Sequence, residues 1–361
     1  MKALVLSGGR GTGLRPITYT MAKQLVPVAN KPVLFHCLEA LRDAGVTETG
    51  IVIGETGAEV RSAVGDGSKW GMRVSYLEQD APRGLAHAVL VAREFLGDEP
   101  FVMYLGDNVL RSGIRAFLAQ FLETRPDALV LLSKVHDPQR FGVAEIEGGR
   151  VARLVEKPSQ PRSDLALVGV YFFTKAIHDA VRAIKPSWRG ELEITDAIQR
   201  LVDGGRVVSF RIVEGWWKDT GKVEDLLEAN RLLLDGQERR VEGEVDAASE
   251  VTGSVIVPAS AKVTESVLSG PIVIGENCRI ARSFVGPYTS VYHDVEIEDS
   301  ELEDSIVLEN TAITGVKNRI RGSLIGKNAV VRRDLQRGGA AGEDLPALRL
   351  VLGDNSQVGV S

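Results

Sequence analysis

Cysteine is nearly absent from this chain: Cys37 and Cys278 are the two thiols in 361 residues. Two cysteines make neither a disulfide framework nor a cysteine-rich zinc site. Histidine is scarce as well, at five, and the five show no ligand spacing and no nucleophile–base arrangement. No apolar run approaches the roughly 20 residues that a membrane-spanning helix needs. Long blocks of one charge sign are also missing. The 43 Lys+Arg against 49 Asp+Glu leave a net charge of −6, so neither nucleic acid nor a membrane surface is an expected partner. Residues 1–6 are too short for a signal peptide and run straight into glycines, which leads to the expectation of a soluble cytoplasmic protein.

What is present is ordinary globular composition, 44% hydrophobic and 25% charged, which excludes a mainly disordered or collagen-like chain. The length implies two domains. Up to about residue 235, short apolar runs alternate with amphipathic stretches. Residues 3–6, 51–53, 101–105 and 128–132 read as buried strands. Residues 33–44 place Val33, Leu34, Cys37, Leu38, Leu41 and Ala44 on one helical stripe, stopped by Gly45. Helices are also predicted over 85–96, 114–123, 191–202 and 223–234. This alternation implies an α/β domain with a mostly parallel sheet, covered on both faces. Such sheets bind ligands at the carboxyl ends of their strands, where Gly8 and Asp107 should sit.

From about Glu244 the helical period disappears. Val257 and Val263 are six apart, as are Ile274 and Ile280, Val285 and Val291, Val307 and Ile313, and Ile325 and Val331. A serine marker recurs in Ser266-Val267-Leu268, Ser283-Phe284-Val285, Ser305-Ile306-Val307 and Ser323-Leu324-Ile325. Three six-residue sides make one 18-residue turn of a parallel β-helix, each stacking its apolar corner on the next. A small β-sandwich fits the spacing less well. The polar stretch 236–249 reads as a linker, giving domains at 1–238 and 239–361.

The glycine-rich turn Gly8-Gly9-Arg10-Gly11-Thr12-Gly13-Leu14-Arg15-Pro16 follows the first strand directly. Glycines there let backbone N–H groups close around phosphate oxygens. A Walker A loop would need Gly-Lys-Ser/Thr, and a dinucleotide fingerprint would need glycine at Leu14; neither matches. Lys23-Gln24-Leu25-Val26-Pro27 and Lys31-Pro32 follow closely. From Leu6 to Pro32 the chain resembles the start of sugar-nucleotide pyrophosphorylases, and Lys-Gln-Leu-x-Pro resembles the glucose-1-phosphate thymidylyltransferases. Further matches are Gly67-Ser68-x-Trp70-Gly71, Gln79 with Gly84-Leu85-Ala86, Leu105-Gly106-Asp107-Asn108, and Asp137-Pro138-x-Arg140-Phe141-Gly142-Val143. They continue through Glu156-Lys157-Pro158, Arg189-Gly190-Glu191-Leu192-Glu193-Ile194-Thr195-Asp196 and Trp217-x-Asp219-Thr220-Gly221. The tail resembles the long form of these enzymes, which implies a Rossmann-like nucleotidyltransferase domain followed by a left-handed parallel β-helix.

The resemblance implies Mg²⁺-dependent attack of glucose 1-phosphate on the α-phosphorus of dTTP, giving dTDP-glucose and pyrophosphate for deoxysugar biosynthesis. Two polyanions must meet, so cations must screen them. Asp107 and Asp219 suit a metal pair, since Mg²⁺ takes one or two carboxylates plus phosphate oxygens and water. By resemblance, Lys23 contacts the triphosphate, while Lys157 and Arg189 hold the sugar phosphate. Phe141, Gly142, Glu156 and Gly169 lie at the sugar, with Glu156 and the Gly142 and Gly169 backbone meeting its hydroxyls. Leu6, Gly8, Gly9, Gly11, Thr12, Gly13, Gln24, Gln79, Gly84 and Asp107 form the nucleotide side. Gln24 and Gln79 are the candidates for base reading, because an amide pairs with both an imide N–H and a carbonyl. His87 reads as packing.

One position departs from the resemblance: the family loop reads Gly-Thr-Arg-Leu, and here Gly13 stands at the arginine. Losing such a cation costs roughly 3–4 kcal/mol of transition-state stabilisation. Arg10 and Arg15 flank the gap and both are candidate replacements, with Arg15 counted among the catalytic residues. Three other readings compete with the transferase. One is a catalytically attenuated nucleotide-binding paralogue or regulatory subunit. Another is a UTP-using uridylyltransferase. The third adds a β-helix acyltransferase, for which His293 is the one histidine base on offer. Stacked coils with exposed ends imply a homo-oligomer, and feedback by a deoxysugar nucleotide is expected from the resemblance.

Overall fold

The computed structural model describes residues 1–334 and 346–360; positions 335–345 and 361 of the expected 239–361 domain lie outside the described residues. The chain packs into two compact units. One is Met1–Arg10 with Val33–Asp219; the other is Gly11–Pro32 with the chain from Thr220 onward. The glycine-rich turn is therefore divided between units after Arg10. Among the described residues no helix is long and apolar enough to cross a membrane.

In the first unit β1 (Lys2–Ser7), β2 (Glu48–Ile53), β3 (Arg73–Glu78) and β4 (Phe101–Leu105) lie parallel in the order β3-β2-β1-β4. Ala3, Leu4 and Val5 are fully buried, because a central parallel strand is covered on both faces and favours an unbroken apolar run. The registers Ser7↔Ile53, Ile53↔Glu78 and Leu6↔Leu105 end these strands along one edge. The sheet continues through β5 (Ala128–Lys134), β6 (Gly142–Glu147), β7 (Arg150–Glu156), β8 (Leu165–Phe173) and β9 (Val208–Ile212). β8 runs antiparallel to β4, β5 and β6, while β9 is parallel to β5. The helix predicted over 85–96 is broken at Ala92 into Leu85–Val91 and Arg93–Leu96. The helix predicted from 191 starts at Ile194, with Glu193 still extended.

In the second unit the parallel coils are present in three strand stacks. One buried column runs Val263, Ile280, Ile297, Ile313 and Val331. Its spacing is 17, 17, 16 and 18 residues, so the coils run from two residues short of three hexapeptides to the full 18. Asn277, Asp294, Asn310 and Asn328 repeat at one corner with φ of 58, 57, 56 and 52°. Short polar side chains tolerate that left-handed backbone, which lets each coil turn tightly. The predicted linker at 236–249 already holds coil strands Arg240–Val241 and Glu244–Val245, paired with the residues around Ile256 and Lys262. Its polarity reflects an end coil that covers the apolar stack rather than a free tether.

The serine markers form two ladders, not one. Ser266 and Ser283 precede one stack, and Ser305 and Ser323 precede another. Each hydroxyl donates within its own coil and accepts from the next: Ser283 Oγ donates to the Ala281 carbonyl at 2.7 Å and accepts from Ser300 N–H at 3.2 Å. Replacing Ser283 by Ala leaves a buried N–H unpaired. The expected loss is about 1–3 kcal/mol, read from the urea midpoint with an unchanged slope.

Candidate active site

The shared edge of β1 to β4 gathers the first group of candidates. Leu6 is in the core, and its carbonyl accepts the Gly106 N–H at 2.9 Å. Gly8 follows β1, where a Cβ would lie 3.4 Å from Gly54 N and 3.5 Å from Gln79 Oε1. The Gln79 Nε2 donates toward the Gly84 carbonyl at 3.3 Å and lies 2.9 Å from His87 Nδ1. Gly84 has φ of 101°, and a side chain there would collide with the Leu192 carbonyl. This contact ties the turn at 84 to the Arg189–Glu193 segment, and Ala86 N–H donates to the same carbonyl.

Asp107 follows β4 and is buried. Asn108 Nδ2 donates to Asp107 Oδ1 at 2.9 Å, while Asn108 Oδ1 accepts from Trp217 Nε1 at 2.6 Å and Gly169 N–H at 3.3 Å. A Cβ at Gly169 would come 2.7 Å from Asn108 Oδ1, so glycine is what permits this approach. Asn108–Leu110 pairs antiparallel with Trp217–Asp219, placing Asp219 directly opposite Asn108. The two candidate metal carboxylates are thus brought close by one short ribbon. Among the described residues no group of three or more His, Cys, Asp or Glu could hold a metal. A carboxylate pair fits a hard cation that takes its remaining ligands from phosphate and water.

The third group surrounds Arg189. Its guanidinium pairs with Glu191 at 3.0 Å and Glu193 at 3.2 Å and lies 3.7 Å from Glu156. Thr195 Oγ1 donates to Glu156 Oε2 at 2.6 Å. Burial pushes the Glu156 carboxyl above its ordinary range and nearby Glu193 adds to this, against Thr195, Lys157 and Arg189. Gly142 lies opposite Glu156 in the sheet, and Phe141 meets Trp217 edge-on at 5.3 Å. Lys157 adopts φ of 42° and has no ion-pair partner among the described residues. Of the two cations expected at a sugar phosphate, Lys157 is uncommitted and Arg189 is held by three carboxylates.

In the second unit, Gly11 takes φ of 62°, with a Cβ there set 2.8 Å from Lys23 Cβ. Thr12 and Gly13 lie in the short turn Thr12–Leu14 and Lys23 and Gln24 in Lys23–Leu25. Gln24 is buried, and its Oε1 accepts no hydrogen bond from the described residues. Any side chain at Gly13 would run into the Gly221 carbonyl, so the arginine of the resemblance does not fit this backbone. Arg15 lies over the Tyr19 ring at 4.8 Å, whereas in the first unit Arg10 is paired with Glu55 at 2.7 Å. The segment is fastened to the coils. Asn230, fully buried, accepts from Ala29 N–H at 2.8 Å and Ser290 Oγ at 2.6 Å, and donates to the Tyr288 carbonyl at 2.9 Å. Asn30 Nδ2 donates to the Val291 carbonyl, and Thr20 Oγ1 to Asp354 Oδ2. His293 is bonded to its neighbour Asp294 at 2.7 Å on an exposed corner.

Asn108, Trp217, Glu193 and Thr195 were not assigned roles from sequence. Each stands inside a quoted motif; Asn108, Trp217 and Thr195 have partners far along the chain, whereas Glu193 pairs with Arg189 four residues away, a spacing that could have flagged it.

The nucleotidyl transferase family model matches residues 2–236. Over 362 residues the chain is 54% identical to a glucose-1-phosphate thymidylyltransferase of Streptomyces griseus, covering 100% of both. It is 55% identical to one of Streptomyces antibioticus, covering 99% of both. A solved Bacillus anthracis structure in complex with a sucrose, described as a glucose-1-phosphate thymidylyltransferase, matches with TM-score 0.61 and 36% identity. That match covers 64% of this chain and 94% of the other. Replacing Asn108 by Leu keeps the volume but strands Trp217 Nε1 and Gly169 N–H. The expected stability loss is about 1–3 kcal/mol, visible as a lower thermal midpoint and a changed Trp217 fluorescence.

Proposed function

Because the chain belongs to the nucleotidyl transferase family, we propose that it transfers a dTMP group from dTTP to glucose 1-phosphate. A phosphate oxygen of the sugar phosphate forms the new bond to the α-phosphorus, the bond to the β-phosphate oxygen breaks, and pyrophosphate leaves. The observation that carries this reading is the Gln79 amide, tethered through its nitrogen to Gly84 and His87 with its oxygen facing Gly8. That oxygen accepts the imide N–H of a thymine ring.

Mg²⁺ bound to Asp107 and Asp219 would supply charge neutralisation on the phosphate oxygens. Asn108 keeps Asp107 oriented for that role. In the turn segment, Lys23 and Arg15 supply the cations for the triphosphate, with Arg15 standing in for the arginine absent at Gly13. Gln24 offers a buried acceptor to the nucleotide. Lys157 takes the sugar phosphate, while Arg189 holds Glu156, Glu191 and Glu193 and adds its charge at longer range. Glu156 and the backbone at Gly142 and Gly169 receive the sugar hydroxyls. The fastening of residues 20–30 to the coils supports a β-helix that steadies the nucleotide segment, alongside the assembly into homo-oligomers.

A second reading, an attenuated nucleotide-binding form, is favoured by one observation, the lack of room for a side chain at Gly13. Pyrophosphate release from glucose 1-phosphate and Mg²⁺, measured with dTTP, UTP, ATP, CTP and GTP in turn, separates the two. Release with dTTP that falls at least a hundredfold in Asp107→Asn supports the transferase. Nucleotide binding without release supports the attenuated form, and preference for UTP would make the chain a uridylyltransferase. The raised Glu156 also sets a pH dependence. Its carboxylate is neutralised earlier as pH falls than a free glutamate, near 4.3, so KM for glucose 1-phosphate should climb on acidification from above that value. Glu156→Gln should raise KM at neutral pH and flatten the profile.

A further inference from the structure

We infer that Tyr19 is a positioning residue that holds the Arg15 guanidinium ready for the nucleotide triphosphate. The cation absent at Gly13 is thus replaced by two side chains, an arginine and the ring that confines it. This rests on the triphosphate role proposed for Arg15. A cation serves a polyanion best when its charge is not already neutralised and its side chain is already confined. A carboxylate partner confines an arginine but competes with phosphate for the same charge. An aromatic ring confines it through the quadrupole of its face and brings no negative charge of its own.

The two arginines beside Gly13 differ in this respect. Arg10 is held by a carboxylate: Nε donates to Glu55 Oε1 at 3.1 Å and Nη2 to the same oxygen at 2.7 Å. Arg15 lies over the Tyr19 ring, 4.8 Å from its centre, and no carboxylate pairs with it among the described residues. The loop that carries Arg15 is firmly closed. Thr18 Oγ1 donates to the Gly11 carbonyl at 2.7 Å, and Leu14 and Ile17, on either side of Arg15, are fully buried. Tyr19 N–H donates to the Pro16 carbonyl at 3.2 Å, which fixes the backbone under the ring. Gly11, at the base of this loop, packs on Lys23, the other cation proposed for the triphosphate. Arginine and lysine therefore leave one packed segment. Tyr19 itself is 68% exposed, so the ring adds little to the core and its removal leaves the fold in place.

The test uses the full chain with Tyr19→Leu, Tyr19→Phe, Arg15→Gln and the double variant Arg15→Gln/Tyr19→Leu. It compares kcat/KM for dTTP, KM for glucose 1-phosphate and the thermal midpoint. Should turnover be too slow to measure, equilibrium binding of dTTP gives the same comparison. Tyr19→Leu should lower kcat/KM for dTTP about two- to fivefold, the worth of one exposed cation–π contact. KM for glucose 1-phosphate and the thermal midpoint should not move. Tyr19→Phe keeps the ring face and should match the unaltered chain. In the Arg15→Gln background, Tyr19→Leu should add nothing, because the ring acts through the guanidinium. A loss of equal size in both backgrounds would overturn the inference. Unaltered kinetics in Tyr19→Leu, beside a tenfold or greater loss in Arg15→Gln, would overturn it too and leave the Arg15 role standing. Unaltered kinetics in Arg15→Gln would remove that role and the inference together.

Discussion

The parallel register of β1 between β2 and β4 is the constraint on which the first unit depends. Because Ser7 pairs with Ile53 and Leu6 with Leu105, the chain leaves three strands at one level, and β3 joins them through Ile53 and Glu78. Gly8, Gln79 and the Gly106-Asp107 step emerge there side by side. The cost of burying β1 is met by an unbroken apolar run, which leaves no polar side chain between Lys2 and Ser7. Chemistry can start only where the strand ends.

Beyond that edge, the polar groups are arranged as linked pairs rather than as a loose collection. Asn108 connects Asp107 to Trp217 and Gly169, so that carboxylate, the ribbon and β8 share one buried amide. Around Arg189, three carboxylates face one guanidinium. Such clusters stay ionised only with hydrogen-bond support, and burial displaces the Glu156 carboxyl upward.

The second unit solves a different problem. A stack of short coils offers one strand per side and no long helix, so its order comes from repetition: a buried aliphatic column, a left-handed Asn/Asp corner and serine ladders between coils. The segment Gly11–Pro32 draws on that order. Asn230 closes three hydrogen bonds in a fully buried place, and Gly13 touches the backbone at Gly221. A residue that reads from sequence as a lost arginine is, in three dimensions, a point of close packing.

Much was determined by the sequence itself. The apolar run of β1, the glycines at 8 and 11, the acidic residue after β4 and the near-hexad spacing of the coils are local or periodic. Local propensity and short repeats survive in a linear reading because neighbours in sequence carry them. The coil length of 16 to 18 residues and the end coil at 240–252 were blurred, since single-residue corner changes leave the six-residue signal in place. The tertiary structure alone decided which way the Gln79 amide faces, that Arg189 is shared among three carboxylates while Lys157 is not, and that Asn108 is the buried hub beside Asp107. Each depends on a hydrogen bond or ion pair to a group whose position is set by a different element. The energy of such a bond turns on tenths of an ångström and on burial, which only the folded packing supplies.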